Sequence, residues 1–337
     1  MAIPVPGPLL ELQDLKVVLP TAGGPAPILA GISFSLRRGE TLGLVGESGC
    51  GKSVTALAIM GLLPPRAATS GAVLFDGRNL LTTDEPTLCG LRGRRIGMIF
   101  QEPMTALNPV RSIGAQVAEG LLLHLRLGRA EAEARTRRVL DRVGLPAPRF
   151  SPDLYPHQLS GGQRQRVMIA MALALEPDLL IADEPTTALD VTIQAQILDL
   201  LGSVVDETGM ALMLITHDLG VVAEMTERVM VMYSGGVVEA GATPDVFGRV
   251  THPYTQGLFA ASPHAMTGPT RTPDGRRRRL NAIGGQVPDP RHRPPGCAFA
   301  ERCPRVAEDC RRVPPTLAAG AGPGGHAAAC FHPIVAP

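Results

Sequence analysis

A glycine-rich segment from Gly46 to Ser53 has the residue types and the spacing for binding phosphate. Two glycines enclose four residues and are followed by Lys52 and Ser53, which is the phosphate-loop pattern. Glycines let the backbone N–H groups wrap an anion, because no Cβ separates them from the phosphate oxygens. The lysine is expected to reach the outer phosphates and the serine hydroxyl to bind Mg²⁺. The pattern predicts a nucleoside triphosphate site. Its residues are Gly46, Glu47, Ser48, Gly49, Cys50, Gly51, Lys52 and Ser53.

Asp183 and Glu184 are carboxylates placed to act beside such a site. They follow the continuous apolar run Leu179 to Ala182, which is typical of a buried strand in a parallel sheet. Ligands of open α/β sheets bind at the carboxyl ends of the strands. We therefore expect Asp183 to bind Mg²⁺, directly or through water, and Glu184 to polarise the water that attacks the phosphate.

A second glycine-rich turn, Ser160-Gly161-Gly162-Gln163, leads directly into the helical run Arg164 to Leu175. Unpaired N–H groups and the positive end of the helix dipole attract an anion to such a helix start. For a lone Ser-Gly-Gly, a plain helix cap would be the simpler interpretation. In the company of the first loop, the turn favours a second phosphate-binding surface.

Two further polar residues stand where predicted strands end. Gln101 closes the strand Ile96 to Phe100, and its amide oxygen is suited to binding a metal or orienting water. His217 follows the buried strand Met210 to Thr216. It is placed to hydrogen-bond the terminal phosphate, although alone it would be interpreted as a structural histidine. The candidate catalytic residues are Glu184, His217 and Gln101, and the candidate Mg²⁺ ligands are Ser53, Gln101 and Asp183.

The elements around these residues predict an α/β fold. Short β-type runs at Leu9 to Val18 and Ile32 to Leu36, separated by the turn-prone Pro20 to Pro27, indicate a mainly antiparallel sheet. The pattern from Ile113 to Val143 is helical, and Ser234 to Gly236 is expected to turn a hairpin. The predicted fold class is a P-loop core with a parallel sheet, an antiparallel β subdomain, an α-helical subdomain and a small Cys-rich C-terminal extension.

Composition argues against several classes of protein. The 337 residues carry 32 basic and 31 acidic side chains, for a formal net charge of +1, so no overall field attracts nucleic acid. The longest apolar runs, such as Val167 to Leu175, fall short of the roughly 20 residues that a membrane-spanning helix needs. No basic region follows Met1, so no secretory signal is expected. We expect a cytoplasmic chain unless a partner holds it at a membrane.

Taken in chain order, these motifs resemble those of the ATP-binding subunits of ABC transporters, over residues 9 to 250. The resemblance implies ATP and Mg²⁺ as ligands, and a helical subdomain at about residues 103 to 165. The matching motifs are Gly46 to Ser53 (Walker A), Gln101 (Q-loop), Leu159 to Gln163 (signature), Leu179 to Glu184 (Walker B), Ala188 to Asp190 (D-loop) and His217 (switch histidine).

The same resemblance implies a head-to-tail dimer that shares each ATP between two chains. In such a dimer Ser160 and Gly162 would bind the γ-phosphate of the ATP held by the partner chain. One departure concerns the base. The segment Lys16 to Pro20 lacks the aromatic residue on which ABC domains usually stack adenine, and Leu19 is left as an apolar contact.

Residues 251 to 337 resemble the C-terminal extension of the oligopeptide, dipeptide and nickel importer ATPases. The resemblance is carried by Thr251 to Thr255, Gly296-Cys297 and Arg302-Cys303-Pro304. It implies an ATPase that powers peptide import from the cytoplasmic face of the membrane. Its partners would be a second ATPase subunit, often a paralogue in a heterodimer, two transmembrane permeases and, indirectly, an extracellular solute-binding protein. Import of nickel or another small solute, a soluble ABC ATPase and a redox sensor are the alternatives.

Four of the six cysteines crowd into the end of the chain. Cys297, Cys303, Cys310 and Cys330 are separated by five, six and nineteen residues, without the Cys-x-x-Cys pairs of a zinc ribbon. Four thiolates with a Cys-Pro pair suit an iron–sulfur cluster. Some importer ATPases of the resembling family carry a [4Fe–4S] cluster on such a tail. We expect that cluster, with Zn²⁺ or free thiols as the alternatives.

Overall fold

The computed structural model describes residues 7–187, 189–262, 282–319 and 325–334. The strands are β1 (Leu10–Thr21), β2 (Gly24–Leu36), β3 (Thr41–Val45), β4 (Ala68–Phe75), β5 (Arg78–Asn79), β6 (Ile96–Ile99), β7 (Leu179–Asp183), β8 (Ala211–Ile215), β9 (Arg228–Tyr233), β10 (Gly236–Ala242), β11 (Ala318–Ala319) and β12 (Ala327–Ala328). The helices are α1 (Lys52–Met60), α2 (Glu85–Leu91), α3 (Pro103–Ala106), α4 (Ile113–Leu125), α5 (Arg129–Arg142), α6 (Gly161–Leu173), α7 (Val191–Thr208), α8 (Leu219–Met225), α9 (Thr243–Gly248), α10 (Pro253–Ala261) and α11 (Glu308–Arg312).

The chain divides into two compact units. The first unit contains Met1–Leu10, Leu36–Thr41 and Leu74–Ile215, and the second contains Glu11–Ser35, Leu42–Val73 and Thr216–Pro337. The carboxylates and the second glycine-rich turn lie in the first unit, and the phosphate loop lies in the second.

Three parallel strands of the first unit run in the order β8, β7, β6. Ile99 of β6 pairs with Ala182 of β7, and Ala182 pairs with Leu214 of β8, so the three strands end at one edge. All their residues are buried. Continuous apolar runs of this kind are what a sheet covered on both faces requires. The predicted parallel strands are confirmed, and the edge where they end carries Gln101 and Glu184.

The helical part of the first unit packs α4, α5 and α6 against one another. The expected helical stretch from 113 to 143 breaks where Arg126 adopts a left-handed φ of 51°. Leu121 and Leu140 are buried, whereas Leu122 is 45% exposed. Helix α6 begins at Gly161 rather than Arg164. The glycine-rich turn therefore forms the first turn of the helix itself.

The antiparallel sheet predicted for the N-terminal part is confirmed. In the second unit β1 lies between β2 and β4 and pairs with both. The loop joining β1 to β2 is shorter than expected, because Pro25 and Pro27 lie inside β2. That strand is at the sheet edge, where a residue without an N–H is tolerated. In the first unit the end of β4 pairs with β5 across Asp76 and Gly77, both at positive φ, the tight hairpin turn that Asp-Gly favours.

The second unit contains a sheet in the order β11, β12, β10, β9, β3. The predicted hairpin of β9 and β10 is confirmed, with Ser234 and Gly235 at positive φ. Strand β12, from the end of the chain, pairs with β10. There the buried Glu239 accepts hydrogen bonds from the backbone of Thr251 and His252, at 2.7 and 3.0 Å, and lies 2.7 Å from His326. These contacts hold the C-terminal segment on the sheet.

His252 links the stability of this unit to pH. The side chain is 1% exposed, and its Nδ1 accepts a hydrogen bond of 3.0 Å from the Tyr254 N–H at the start of α10. Burial lowers the pKa of His252 to about 4. A hydrogen bond with the Ala329 backbone acts in the opposite direction but is the smaller effect. As the pH falls from 6.5 towards 4, the unfolded chain therefore takes up a proton that the folded chain does not bind, and stability is lost.

His252→Asn removes the titration and keeps a residue that caps helices well. We expect acidification from pH 7 to pH 5 to cost the wild-type protein about 2 kcal/mol more unfolding free energy than the variant. Urea denaturation at the two pH values measures this difference. His157→Asn, at an exposed position, is the control and should titrate like the wild type. Equal losses in wild type and His252→Asn would contradict the assignment.

Candidate functional site

The phosphate loop of the second unit connects β3 to α1, the strand–loop–helix arrangement that its sequence predicts. Gly46, Gly49 and Gly51 adopt φ values of 152°, 81° and 107°, which L side chains rarely adopt. A Cβ on Gly46 would also lie 2.3 Å from the Met232 carbonyl oxygen. Gly51 is the N-cap of α1 and offers no side chain, which leaves the first N–H groups of the helix available to an anion.

Lys52 folds back over this loop. Its Nζ donates to the backbone oxygens of Gly46 at 2.7 Å and Glu47 at 3.1 Å, and the residue is 6% exposed. An ammonium held among carbonyl oxygens is poised to exchange them for phosphate oxygens, which carry more charge. Cys50 lies beside it, with Sγ 3.7 Å from the Lys52 Nζ, and burial raises the pKa of this thiol. Ser53 follows, half-buried, as the second residue of α1.

Glu184 stands at the end of β7 with its carboxylate held in place. The Gln101 amide donates to Oε2 at 3.1 Å, and the Thr187 hydroxyl donates to the same oxygen at 2.7 Å. The backbone of Glu184 is left-handed, with φ 48°, and its N–H donates to the Ile215 oxygen at 2.8 Å. A non-glycine residue in this conformation is strained, and such residues cluster at functional sites. The structure thus brings together two of the three predicted catalytic residues.

The predicted Mg²⁺ ligands are a hydroxyl, an amide oxygen and a carboxylate. Asp183, the last residue of β7, is 4% exposed, and Gln101 follows β6 on the neighbouring strand. Both lie in the first unit, and Ser53 lies in the second. Oxygen atoms of this kind are the donors that Mg²⁺ prefers, so the donor set fits this ion in its chemistry.

The second glycine-rich turn forms a capped helix start. Gln163 N–H donates to Ser160 Oγ at 3.4 Å, and Ser160 N–H donates to the Gln163 side chain at 2.9 Å, which is a capping box. A Cβ on Gly162 would lie 2.9 Å from Ile193, so this position needs glycine. Both the helix-cap interpretation and the anion-site interpretation are compatible with this geometry, because the cap uses the serine side chain and leaves Gly161 and Gly162 exposed or half-buried.

A cleft of about 550 Å³ in the first unit is lined by this turn and by Asp190. Asp190 caps α7 by accepting a hydrogen bond of 3.0 Å from Ile193 N–H. The preceding Ala188 lies outside the described residues. Sequence reasoning missed two arginines at the cleft, Arg149 and Arg166; the exposed Arg149 places positive charge where an anion would bind.

His217 is exposed and lies between β8 and α8. The next residue, Asp218, caps α8 by accepting a bond of 2.8 Å from Gly220 N–H. This cap fixes the backbone that carries the histidine. Its contact with a terminal phosphate remains a prediction.

A glycine-rich loop between a strand and a helix, with carboxylates at the end of a buried parallel strand, defines a P-loop nucleotide-binding protein. The sequence matches the ABC transporter family over residues 29–187 and the "Oligopeptide/dipeptide transporter, C-terminal region" family over residues 238–310. The chain belongs to the ATP-binding proteins of ABC transporters, in the oligopeptide/dipeptide group.

Relatives match along nearly the whole chain. A probable peptide ABC transporter ATP-binding protein of Sinorhizobium fredii is 50% identical over 96% of this chain and 94% of its own length. The dipeptide transport ATP-binding protein DppD of Bacillus subtilis is 49% identical over 91% of this chain and 90% of its own. The oligopeptide transport ATP-binding protein OppD of Salmonella typhimurium is 47% identical over 97% and 94%.

Solved structures confirm the predicted P-loop ABC fold, although they do not confirm the Cys-rich extension. The ATP-binding cassette MJ0796, in a dimeric post-hydrolysis state bound to ADP and phosphate, is 30% identical with a TM-score of 0.63. The match covers 69% of this chain and 98% of the cassette. CbiO1 of Clostridium perfringens, part of an ABC transporter complex, is 31% identical with a TM-score of 0.60 over 72% of this chain and 91% of its own.

The prediction of an iron–sulfur protein is wrong. The family found here is one of ATP-binding transporter proteins, and neither a cluster nor zinc follows from it. The four cysteines, Cys297, Cys303, Cys310 and Cys330, do line one cavity, but its volume is about 10 Å³, room for one water-sized sphere. Burial raises the pKa of three of them, that of Cys330 to about 11. The described geometry does not fit a four-iron cluster.

Sequence reasoning also missed a neighbour of these cysteines. His332 lies 2.9 and 3.0 Å from the two carboxylate oxygens of Asp309. This hydrogen bond is the main cause that lowers the pKa of Asp309. The pair links α11 to the last described residues of the chain.

None of the helices in the described ranges combines the length and the apolar character that crossing a bilayer demands.

Proposed function

We propose that this chain hydrolyses ATP to power the import of di- or oligopeptides through an ABC transporter. One observation carries the proposal. Residues 238–310 match the oligopeptide/dipeptide transporter C-terminal family. The relatives named above, which are peptide, dipeptide and oligopeptide transport proteins, align over this part as well. The ATP-binding domain would span residues 9–250 and the importer-type extension residues 251–337.

The geometry of each unit supports the following residue roles. Lys52 and the loop N–H groups would bind the β- and γ-phosphates. Glu184, held by Gln101 and Thr187, would accept the proton of the attacking water. His217 would hydrogen-bond the γ-phosphate. Mg²⁺, held by Ser53, Gln101 and Asp183, would neutralise charge on the phosphates.

A dimer that shares each ATP would explain why one chain carries two helix starts suited to binding an anion. We propose that each ATP lies between the phosphate loop of one chain and the turn Ser160–Gln163 of its partner, with Asp190 beside that turn. Closure would then require ATP, because its phosphates supply contacts to both surfaces, and hydrolysis would release them. The partner chain, a paralogue or a second copy, would dock with this one on the cytoplasmic side of two permeases.

A reconstituted transporter tests the function. The chain, its ATPase partner and two permeases would be purified together and placed in lipid vesicles, with a solute-binding protein on the side of the membrane opposite the ATPases. We expect labelled dipeptide or oligopeptide to cross to the ATPase side only with ATP. Transport of Ni²⁺ without peptide transport, or ATP turnover that ignores every peptide, would overturn the proposal. The matched control is the same complex carrying Glu184→Gln.

Ser160→Ala tests the shared pocket. Because its hydroxyl would contact the partner's γ-phosphate, we expect turnover in the assembled complex to fall about 10-fold or more, by analogy with losing a hydrogen bond to a charged group. Steady-state ATPase assays measure this loss. The change also removes a helix cap, which costs about 1 kcal/mol of stability.

Ser112→Ala separates the two effects. Ser112 caps α4 in the same unit by accepting a bond of 3.3 Å from Ala115 N–H. Its loss should lower stability equally and leave turnover nearly unchanged. If both variants lose the same activity, Ser160 acts only as a cap and the shared pocket is not supported.

A further inference from the structure

Arg302 of the C-terminal extension forms an ion pair with the phosphate loop. Arg302 Nη1 donates to Glu47 Oε2 at 2.7 Å, and Nη2 donates to Glu47 Oε1 at 3.0 Å. This is the two-pronged geometry in which a guanidinium binds a carboxylate most strongly. The arginine side chain is 4% exposed and that of Glu47 is 29% exposed. Both residues belong to the second unit, although 255 positions separate them in sequence.

The guanidinium has a fixed position independent of Glu47. Its Nε donates to the Gly284 oxygen at 2.8 Å, and Nη1 lies 3.2 Å from the Tyr233 hydroxyl. Its carbon lies 5.7 Å from the centre of the Tyr233 ring and 5.9 Å from that of Phe299. Because these rings and hydrogen bonds hold the guanidinium in place, its positive charge is already positioned beside the loop.

Those rings form a rigid support beneath the loop. The centres of Tyr233, Tyr254 and Phe299 lie 4.6 to 5.4 Å apart, all three buried. The Tyr254 hydroxyl accepts a hydrogen bond of 2.9 Å from Glu47 N–H. The second residue of the loop is thus held at its backbone by Tyr254 and at its side chain by Arg302.

A carboxylate in this loop needs a counter-charge. The backbone oxygen of Glu47 accepts from Lys52 Nζ at 3.1 Å, so Glu47 lines the place where the phosphate-binding lysine sits. Covalent geometry keeps its carboxylate within about 6 Å of that oxygen. A negative charge this close to the phosphate-binding lysine, partly out of water and unpaired, would repel the phosphates of an incoming nucleotide. Pairing with Arg302 removes that repulsion.

We propose that Arg302 is a positioning residue for the phosphate loop, which neutralises Glu47 and holds the loop in the form that accepts ATP. The proposal rests on the proposed function, since it assigns the loop to ATP. It makes the extension part of the nucleotide site, although its arginine touches no phosphate. The extension therefore affects ATP affinity through charge.

The test compares four variants of the full chain by equilibrium binding of Mg-ATP and by steady-state ATPase in the assembled complex. For Arg302→Ala we expect the Kd and KM for ATP to rise about tenfold, with kcat within about twofold, because the repulsion acts on binding. The double variant Arg302→Ala/Glu47→Gln should bind within about threefold of wild type, because the unpaired charge is gone. Arg302→Lys keeps the positive charge without the two-pronged geometry, so its ATP affinity should lie between those of wild type and Arg302→Ala.

Arg312→Ala is the matched control. Arg312 lies in the same extension, pairs with Glu308 and is 68% exposed, so its loss should leave ATP affinity unchanged. Thermal unfolding of each variant without nucleotide checks that the extension stays folded.

Three results decide the proposal. If adding Glu47→Gln restores ATP binding, the proposal is supported, because a second substitution would further weaken a contact that only stabilised the fold. Unchanged affinity in Arg302→Ala, or a loss that Glu47→Gln does not restore, overturns it. If all variants bind ATP as expected but none turns it over, the proposed function fails and the charge pair stands.

Discussion

Replacing Glu184 by glutamine is expected to lower ATP turnover about 10²- to 10⁴-fold, the usual contribution of a general base, while ATP still binds. Glutamine keeps the shape of the side chain and an oxygen for the hydrogen bonds from Gln101 and Thr187. It lacks the basicity to take a proton from the attacking water. Because the γ-phosphate then stays in place, the variant should accumulate as an ATP-bound dimer. Steady-state ATPase assays and size-exclusion chromatography with Mg-ATP measure the two effects.

Glu176→Gln is a close control for this change. Glu176 is also a glutamate at positive φ, 51°, but it is exposed and precedes β7 instead of following it. The same substitution there removes one charge from the same unit, and we expect it to leave turnover within about twofold, as for most surface changes. Unchanged turnover in Glu184→Gln would exclude Glu184 as the general base and leave His217 as the candidate for that role.

Local sequence signals predicted the elements that carry the candidate site. The run Leu179 to Ala182 is apolar throughout because β7 is covered on both faces. The residues that follow such a strand lie at the edge of the sheet where ligands bind. Gly46 to Ser53 has to be glycine-rich because three of its φ values exclude ordinary side chains. Boundaries were less predictable. Pro25 and Pro27 indicated a turn, but an edge strand accepts both.

Contacts between distant residues left no such signal. In the sequence Arg302 stands out only as the neighbour of Cys303, because nothing local predicts that it pairs with Glu47, 255 positions away. The cysteines were misleading for a related reason. Their spacing suited a metal cluster, whereas the described cavity between them holds about one water. Spacing restricts which residues can meet, but the volume left between them depends on packing of the whole unit.

Replacing Lys52 by methionine is expected to weaken ATP binding and to slow ATP hydrolysis. Methionine keeps an unbranched apolar side chain, so the buried stem is retained while the ammonium is lost. Each hydrogen bond to a charged group contributes about 1.5 to 3 kcal/mol, and we expect the Kd for ATP to rise about 10- to 100-fold. Turnover should fall about 10²- to 10³-fold, because the charge developing on the phosphates loses its nearest donor. Equilibrium binding and ATPase assays measure both.

The chain supplies a natural control. Of its 32 basic residues only two are lysines, Lys52 and Lys16. Lys16 is 48% exposed and pairs with Asp14 at 2.8 Å on the surface of β1, an interaction that contributes little at such a position. Lys16→Met removes the same charge by the same chemical change, so it should leave ATP affinity and turnover as they are. If Lys52→Met behaves like Lys16→Met, the loop does not bind phosphate and the assignment of the whole site fails; if only Lys52→Met loses ATP, the effect belongs to the position and not to the charge of the protein.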